Sequence, residues 1–459
     1  MGARTPNQAL RRMVEAAGCS YEALARAVVT VAAENGERAR TDRTSIAHWI
    51  NGTTPRGRAG LWLVEALSRK LGRTVTLAQV GLASGNELPA ALDSADPIGS
   101  VIDLGSAELA DDVNRRRMLA GAAYSVAALA LPAGYDPGAA ERGARARARG
   151  GMVGDGEVAT VRALTKAFAA ADERAGGGHA RTAVVQYLTT DAAAMCSGRF
   201  RTAAHRRAIF GAAAELAHLA GWMAHDLQRE GLAQRYYLTA YRLASASDQH
   251  AHAAWELRLL SHQASGLGHG PASIDLAQEA LRRVAGRVDA HTQAMFTATL
   301  ARAYSADRHT RAATTTIAAA ERLLDAEAAP EEMPHFAMLG PASSLVAHHA
   351  ADIAAAAGEH RSAEAAFRAT LASRDPIAYR RVHALTLVDL AGLLADTGRA
   401  DEAVATWDQA LDYMAGVQSG RHRKAMVAMR AHLAGFKRRG IPGSTDLDRR
   451  AADLLSTMA

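Results

Sequence analysis

The chain has 459 residues, which is too long for one hydrophobic core and predicts two or more domains. Its net charge of +6 comes from 53 basic and 47 acidic residues, and residues 1–82 hold 12 of the bases and six of the acids. The rest of the chain carries 41 residues of each sign, so all the excess positive charge lies in the first 82 residues. Neutralisation of nucleic-acid phosphates requires such a concentration of positive charge.

Cysteine usage indicates the compartment. Cys19 and Cys196 lie in separate helical patterns beside small residues, which predicts buried free thiols in a reducing environment. The chain does not begin with an apolar run, so we expect no secretory signal and a cytoplasmic protein. Residues 115–133 imitate a twin-arginine export signal, but they lie more than a hundred residues from the start. We interpret this segment as a buried helix.

Three helices are predicted near the start of the chain. The first is marked by apolar residues at helical spacing, namely Leu10, Met13 and Val14. Ser20 is the predicted N-cap of the second, whose apolar face holds Leu24, Ala25, Val28 and Val29. The third begins after the N-cap Asp42, ends at Asn51-Gly52, and has an apolar face of Ile46, Trp49 and Ile50.

The outer face of the third helix carries Arg43, Thr44 and His48, whose side chains can hydrogen-bond base edges in a DNA major groove. A short amphipathic helix with this outer face is what a recognition helix needs. We therefore predict base contacts from these three residues. A small helical bundle with no DNA-binding role is the alternative.

The order Leu24-Ala25, Ser45-Ile46, Trp49, Asn51-Gly52 and Pro55-Arg56 resembles the DNA-binding domain of the Cro/repressor-like (XRE) family of bacterial regulators. The resemblance covers residues 1–84 and implies a helix-turn-helix. It also implies phosphate contacts from Ser20, Arg40, Asn51, Thr53, Arg56 and Arg58. One departure is that the second helix continues through Glu34, so that Asn35-Gly36 opens an unusually long turn.

A fourth helix is predicted over 61–71 and a short fifth one near 77–80. Residues 85–155 form the predicted connection to the next domain. Between Glu87 and Asp112 there are seven acids and no lysine or arginine, which favours a solvated linker, with a DNA mimic that folds back on the basic domain as the alternative. A helix over about 108–131 and a basic flexible linker over 142–150 follow.

Residues 156–459 are rich in alanine and leucine and predict a helical domain with internal repeats. The spacing of Leu387, Leu390, Ala391, Leu394, Gly398, Ala403, Trp407 and Ala410 resembles a tetratricopeptide repeat. Equivalent turn positions recur at steps of 40, 40, 50 and 40 residues, at Gln228, Gly268, Arg308, Gly358 and Gly398. The ten extra residues fall where Pro330, Pro334 and Pro341 predict a loop. Helices at about 422–436 and 445–457 should cap the array.

The tetratricopeptide resemblance implies that certain positions of the first helix in each pair line a concave groove. These positions are occupied by Glu215, His218, Trp222, His225, Asp226, Trp255, Arg258, His262, Arg302, His348 and Asp352. Aromatic faces with a nearby guanidinium suit a peptide or a flat acidic molecule. The alternative is that the tryptophans only pack between helices and the histidines are only solvated.

The sequence offers no pattern for catalysis or metal binding. There is no HExxH, CxxC, Walker or G-x-S-x-G spacing, and His348 and His349 point about 100° apart on a helix. We therefore expect no metal, no cofactor and no enzymatic activity.

Together these patterns predict an all-α chain in which an N-terminal helix-turn-helix domain precedes an α-solenoid of helical pairs. The combination resembles actinobacterial regulators and cytosolic peptide-sensing regulators. It implies a homodimeric transcription regulator that binds double-stranded DNA and takes a peptide, small molecule or protein in the repeat groove, with no membrane partner. The alternative is a tetratricopeptide interaction scaffold whose first domain does not bind DNA, and an enzyme is the least supported reading.

Overall fold

The computed structural model describes residues 5–34, 37–82, 96–109, 124, 151–247, 249–327 and 340–458. Within these ranges the regular secondary structure is helical apart from two paired parallel strands of two residues each, β1 (Met152–Val153) and β2 (Arg199–Phe200). The predicted all-α fold class is therefore confirmed. The chain divides into unit 1 (Met1–Arg162 with Thr182–Leu276) and unit 2 (Ala163–Arg181 with Ala277–Ala459). The predicted boundaries 1–84, 85–155 and 156–459 stay a prediction.

The first four helices of unit 1 are α1 (Gln8–Ala16), α2 (Tyr21–Glu34), α3 (Arg43–Ile50) and α4 (Ala59–Leu71). Ser20 caps α2 as predicted, because its Oγ accepts a hydrogen bond from the backbone N of Ala23 at 3.2 Å. The four helices share one core, in which Leu10, Leu24, Ile46 and Leu63 are fully buried. This core fixes α3 from behind and leaves its other face to solvent.

The segment after α4 differs from the prediction in two places. Residues 77–80 form hydrogen-bonded turns rather than a helix. Helix α5 (Pro97–Leu109) lies where the charge pattern predicted a solvated linker. Its residues Ile98, Val101 and Leu104 are buried. In this segment the helical spacing of the apolar residues therefore predicts the structure better than the lack of basic residues does. The predicted helix over 108–131 and linker over 142–150 lie almost wholly outside the described residues.

Helix α6 (Asp155–Ala175) runs from unit 1 into unit 2. The later helices of unit 1 are α7 (Arg181–Tyr187), a π-helical turn (Leu188–Ala192), α8 (Ala193–Cys196), α9 (Ala203–Asp226), α10 (Glu230–Ala246) and α11 (His250–Gly266). Helix α12 (Gly270–Val284) includes the boundary between Leu276 and Ala277. Helix α9 packs along α10, which packs along α11. The close approach of α9 and α10 depends on Gly221, where an added Cβ would lie 2.7 Å from the ring of Tyr237.

The helices of unit 2 are α13 (Ala290–Ala306), α14 (Thr310–Leu323), α15 (Ala342–Ala356), α16 (His360–Ser373), α17 (Arg380–Asp396), α18 (Ala400–Met414), α19 (Gly420–Arg438) and α20 (Ser444–Thr457). Consecutive helices pair, and Trp407, predicted from the repeat pattern, is 1 % exposed in the core of the last pairs. Helices α19 and α20 lie where the two terminal helices were predicted.

The predicted repeat period is visible in the backbone. All five predicted turn positions adopt left-handed conformations, with φ of 60° at Gln228, 84° at Gly268, 62° at Arg308, 79° at Gly358 and 84° at Gly398. A left-handed residue ends the first helix of each pair and reverses the chain. Gln228 and Arg308 have a Cβ, for which a positive φ is sterically unfavourable. Their left-handed conformation therefore indicates that the packing of the helical pair stabilises it.

The two cysteines are free thiols, of which Cys196 is buried and Cys19 is half-buried. Burial raises the pKa of the Cys196 thiol to about 12, so it stays protonated and unreactive at neutral pH. The prediction of a buried thiol is thus confirmed for Cys196 and is only partly met at Cys19.

Candidate nucleic-acid interface

Helix α3 is held by its buried face and by its first turn. Ile46 and Ile50 are almost fully buried and Trp49 is 8 % exposed, so the helix cannot rotate without losing this contact with the core. At its start, Asp42 and Ser45 form a reciprocal capping box. Hydrogen bonds from Ser45 keep the pKa of Asp42 below its usual value, so the cap is a carboxylate at neutral pH.

The opposite face of α3 presents the three predicted base-reading side chains together. Arg43, Thr44 and His48 are all exposed, and they fall within six consecutive positions of one helix. A guanidinium, a hydroxyl and an imidazole provide donors and acceptors that fit the edges of base pairs. The face is therefore chemically suited to a major groove.

Most of the predicted phosphate contacts are accessible near α3 or at the start of α2. Ser20, Arg40, Asn51 and Arg56 are exposed, and Thr53 is half-buried, with its backbone N bonded to the carbonyl of His48 at 2.9 Å. Side-chain hydroxyls, amides and guanidinium groups at such positions commonly bind phosphate oxygens.

Arg58 is placed differently from the other predicted phosphate contacts. Its side chain is only 13 % exposed and its Nη1 lies 3.1 Å from Oε1 of Glu37. Burial lowers the pKa of Arg58, and the charge of Glu37 partly offsets that effect. Since the guanidinium already has a carboxylate partner, the predicted phosphate role of Arg58 requires this ion pair to open.

Unit 1 contains most of the residues predicted to line the groove. His225 connects two of them, because its ring lies 5.5 Å from the ring of Trp222 and 6.0 Å from that of His262. The guanidinium of Arg258 lies 4.5 Å from the ring centre of Trp255, which is a cation–π contact. These predicted groove residues therefore lie in two small groups, one around His225 and one formed by Trp255 and Arg258.

The predicted groove residues that the structure describes in unit 1 do not form an open aromatic surface. Trp255 is fully buried and Trp222 is 7 % exposed, and Arg258, His218 and Asp226 are buried too. Large indole rings remove much apolar area from water when they pack within alanine-rich helices, which favours the packing alternative for them. A ligand would reach these ring faces only after a rearrangement of unit 1.

The remaining predicted groove residues, Arg302, His348 and Asp352, lie in unit 2. Nε2 of His348 is 3.8 Å from Oδ2 of Asp352, and both side chains are partly exposed. Burial lowers the pKa of His348, and the neighbouring arginines lower it further. The charge of Asp352 raises the pKa but does not outweigh them. The imidazole is therefore neutral at pH 7 and can both donate and accept a hydrogen bond.

Two further charged residues join this group and were not predicted from the sequence. The side chain of Asp389 contacts solvent. Its pKa is nevertheless raised, first because the surrounding protein atoms reduce the hydration of the carboxylate and then because of the charge of Asp352. Arg421 acts on both Asp389 and His348. A single aspartate in the apolar run of α17 was the available sequence signal, since a charge inside such a run needs a polar environment.

Neither a metal site nor a membrane span is found in the described ranges. No group of three or more His, Cys, Asp or Glu side chains there could hold a metal ion. Likewise, none of the helices described is both long and apolar enough to cross a bilayer.

Comparison with known families bears on the N-terminal helices. Residues 10–83 match the SP15 N-terminal domain, so the segment that contains α1 to α4 is similar to that domain. The match covers a minor part of the chain and does not extend to the repeat helices. No curated protein matches the chain.

Proposed function

We propose that this protein is a sequence-specific DNA-binding transcription regulator that resembles Cro/repressor-like (XRE) regulators carrying a tetratricopeptide array. The observation that carries the proposal is the exposed face of α3. Arg43, Thr44 and His48 project from a helix that is capped at its start and buried along its other side. Such a helix presents its polar groups in a fixed orientation, as groove recognition requires.

The charge distribution supports the same proposal. The surplus of six positive charges lies in the first 82 residues, and the exposed Arg40 and Arg56 flank α3 in the sequence. Basic residues around a recognition helix neutralise phosphates and release counterions, which supplies most of the sequence-independent affinity.

The repeat helices are proposed to dimerise the regulator and to bind its signal, which would be a peptide, a small molecule or a partner protein. Unit 2 supports this role with a partly exposed group of mixed charge, Arg302, His348, Asp352, Asp389 and Arg421. Mixed charge suits a ligand with both acidic and basic groups. The protein would act in the cytoplasm without a cofactor.

The second candidate function is a helical-repeat interaction scaffold whose N-terminal helices do not bind DNA. It is favoured by one observation, the buried hydrogen bond between Glu65 of α4 and His269 of the α11–α12 turn. Burying a charged group between these elements is consistent with a purely structural role for α4.

In vitro selection of duplex DNA from a random pool with the full-length protein tests the proposal. A regulator should enrich one motif, and its affinity for that motif should exceed its affinity for random DNA by roughly 10³-fold or more. Genomic mapping of bound sites in the native host should recover the same motif. Retention of all sequences alike, or of none, would favour the scaffold.

A further inference from the structure

Helix α4 carries a carboxylate in the middle of an apolar run. Glu65 lies between Val64 and Ala66 and is 3 % exposed. Its Oε1 accepts hydrogen bonds from Nε2 of His269 at 2.6 Å and from Nε of Arg69 at 2.8 Å. His269 is also 3 % exposed, so this contact is shielded from water.

The same arginine ties Glu65 to α2. The guanidinium of Arg69 forms a two-bond fork with the carboxylate of Glu34, at 3.1 and 2.7 Å. Burial by itself would raise the pKa of Glu65, but the bonds from His269 and Arg69 outweigh it and lower the pKa. Glu65 is thus ionised at neutral pH, and the helices on both sides of α3 share one polar network.

The network continues to the repeat helices of unit 1. The ring of Tyr124 stacks on that of His269 with 5.5 Å between centres. His269 also follows the end of α11, where the side-chain amide of Gln263 donates to Oε2 of Glu230 at 2.7 Å. His225 lies 3.0 Å from the same Glu230 carboxylate. The charge of Glu230 also acts on Tyr124, so His225, one of the predicted groove residues, shares a carboxylate with the surroundings of His269.

The structure shows the closed contact, and elementary electrostatics defines the alternative to it. With the contact closed, the Glu65 carboxylate has charged and hydrogen-bonding partners; with it open, water must replace them. A buried charged pair does not tolerate intermediate separations well, because partial opening loses the hydrogen bonds without full solvation. Elements with two discrete arrangements are the ones through which distant sites are coupled.

We propose that the Glu65–His269 pair is a latch that fixes the orientation of the recognition helix relative to the repeat helices of unit 1. The inference rests on the proposed DNA-binding function. Closure would hold the two recognition helices of a dimer at the spacing of two half-sites, about 34 Å apart. Opening would leave each α3 intact but would no longer fix that spacing. The affinity for paired half-sites would therefore fall, and the affinity for a single half-site would not change.

The test compares wild type with Glu65→Gln, His269→Ala and the double variant on the selected motif. Opening the latch should lower the affinity for paired half-sites by about fivefold or more, while the affinity for one half-site stays within about twofold. The double variant should lose much less than the sum of the two single losses, because both changes remove the Glu65–His269 contact, while the introduced amide can still accept from Arg69. His269→Gln keeps a donor for Glu65 and should recover part of the loss.

The matched control is His309, which occupies the equivalent turn position in the next repeat and is exposed. His309→Ala should leave both affinities unchanged. Hydrogen exchange of α4 in the free full-length variants is a second measurement and should become faster when the latch opens. This readout remains informative if one variant binds DNA poorly for other reasons.

The outcomes separate the two proposals. If wild type selects no motif, the proposed function fails and the latch loses its role on DNA. If wild type selects a motif but the variants keep the wild-type ratio of paired-site to single-site affinity, the latch alone is refuted. Unchanged exchange of α4 in His269→Ala would also refute it.

Discussion

Asp42 and Ser45 each satisfy the other's hydrogen-bonding groups at the start of α3. Oδ1 of Asp42 accepts from the backbone N of Ser45 at 2.8 Å, and Oγ of Ser45 accepts from the backbone N of Asp42 at 3.4 Å. Both bonds lie at the surface, so no tertiary contact replaces them when one partner is removed. The box therefore sets the stability of the first helical turn, which carries Arg43 and Thr44.

The first prediction concerns this cap. Asp42→Ala should lower the free energy of unfolding by about 1 kcal/mol, within the range known for lost N-caps. It should also weaken DNA binding, since Arg43 would lie on a frayed turn. Asp42→Asn keeps a side-chain acceptor and is the matched control. Chemical denaturation of both variants measures the difference, and equal stabilities would show that the cap contributes nothing.

The second prediction separates base reading from phosphate binding. Arg43→Ala should cost about 1–3 kcal/mol on the selected motif and relax preference at one base pair. Arg56→Ala should weaken all sequences alike and reduce the salt slope by about one. Titrations at several salt concentrations measure both effects. Arg361→Ala removes the same charge from an exposed position in unit 2 and should change neither. An unaltered base preference in Arg43→Ala would mean that α3 does not read sequence through this residue.

The third prediction is a homodimer on a two-fold symmetric operator. One helix as short as α3 covers few base pairs, while a genome offers about 10⁶ or more competing sites. Pairing two half-sites multiplies their discrimination. Sedimentation of the free protein and of its complex should give two chains in each. A protein that bound an asymmetric site as one chain would contradict this expectation.

Residues that are close in the sequence could be predicted well, and distant contacts could not. The turn at Gln228 was predicted because the repeat pattern recurs locally, and its φ of 60° confirms it. The contact between Glu65 and His269 joins residues 204 positions apart. A lone carboxylate in an apolar run indicates that a buried partner exists, but does not indicate which residue provides it. Likewise, the repeat pattern placed Trp222 and Trp255 at inward positions of two consecutive repeats without determining whether those positions are open to solvent.

The fourth prediction tests the close approach of α9 and α10. Gly221→Ala should destabilise the protein by about 1–2 kcal/mol, because overpacking against Tyr237 outweighs the gain in helix propensity. The ring of Tyr237 is 1 % exposed and has little room to move. Gly266→Ala is the control in the same unit, since a Cβ there meets nothing within 4 Å. It should be neutral or stabilise by about 0.5 kcal/mol. Equal effects in urea denaturation would mean that the helices do not depend on this glycine.

The last prediction concerns the acid sensitivity of unit 1. Burial, followed by the charges of His218 and Arg162, lowers the pKa of His252 to about 4. An unfolded chain protonates the same imidazole near pH 6.5, so between these values the unfolded state binds a proton that the folded state excludes. The contribution of neutral His252 to the free energy of unfolding is therefore fully present above about pH 6.5, and it is lost as the pH falls towards 4.

Between pH 7.5 and pH 5, His252→Gln should lose about 2 kcal/mol less stability than wild type, since it removes the group that takes up the proton. Tryptophan fluorescence during urea denaturation is a suitable signal, because four of the five tryptophans lie in unit 1. His360→Gln, at an exposed position, controls for the loss of a histidine and should follow wild type. If His252→Gln loses as much stability as wild type, then His252 is protonated in the folded protein or water reaches it, and the acid sensitivity of unit 1 has another source.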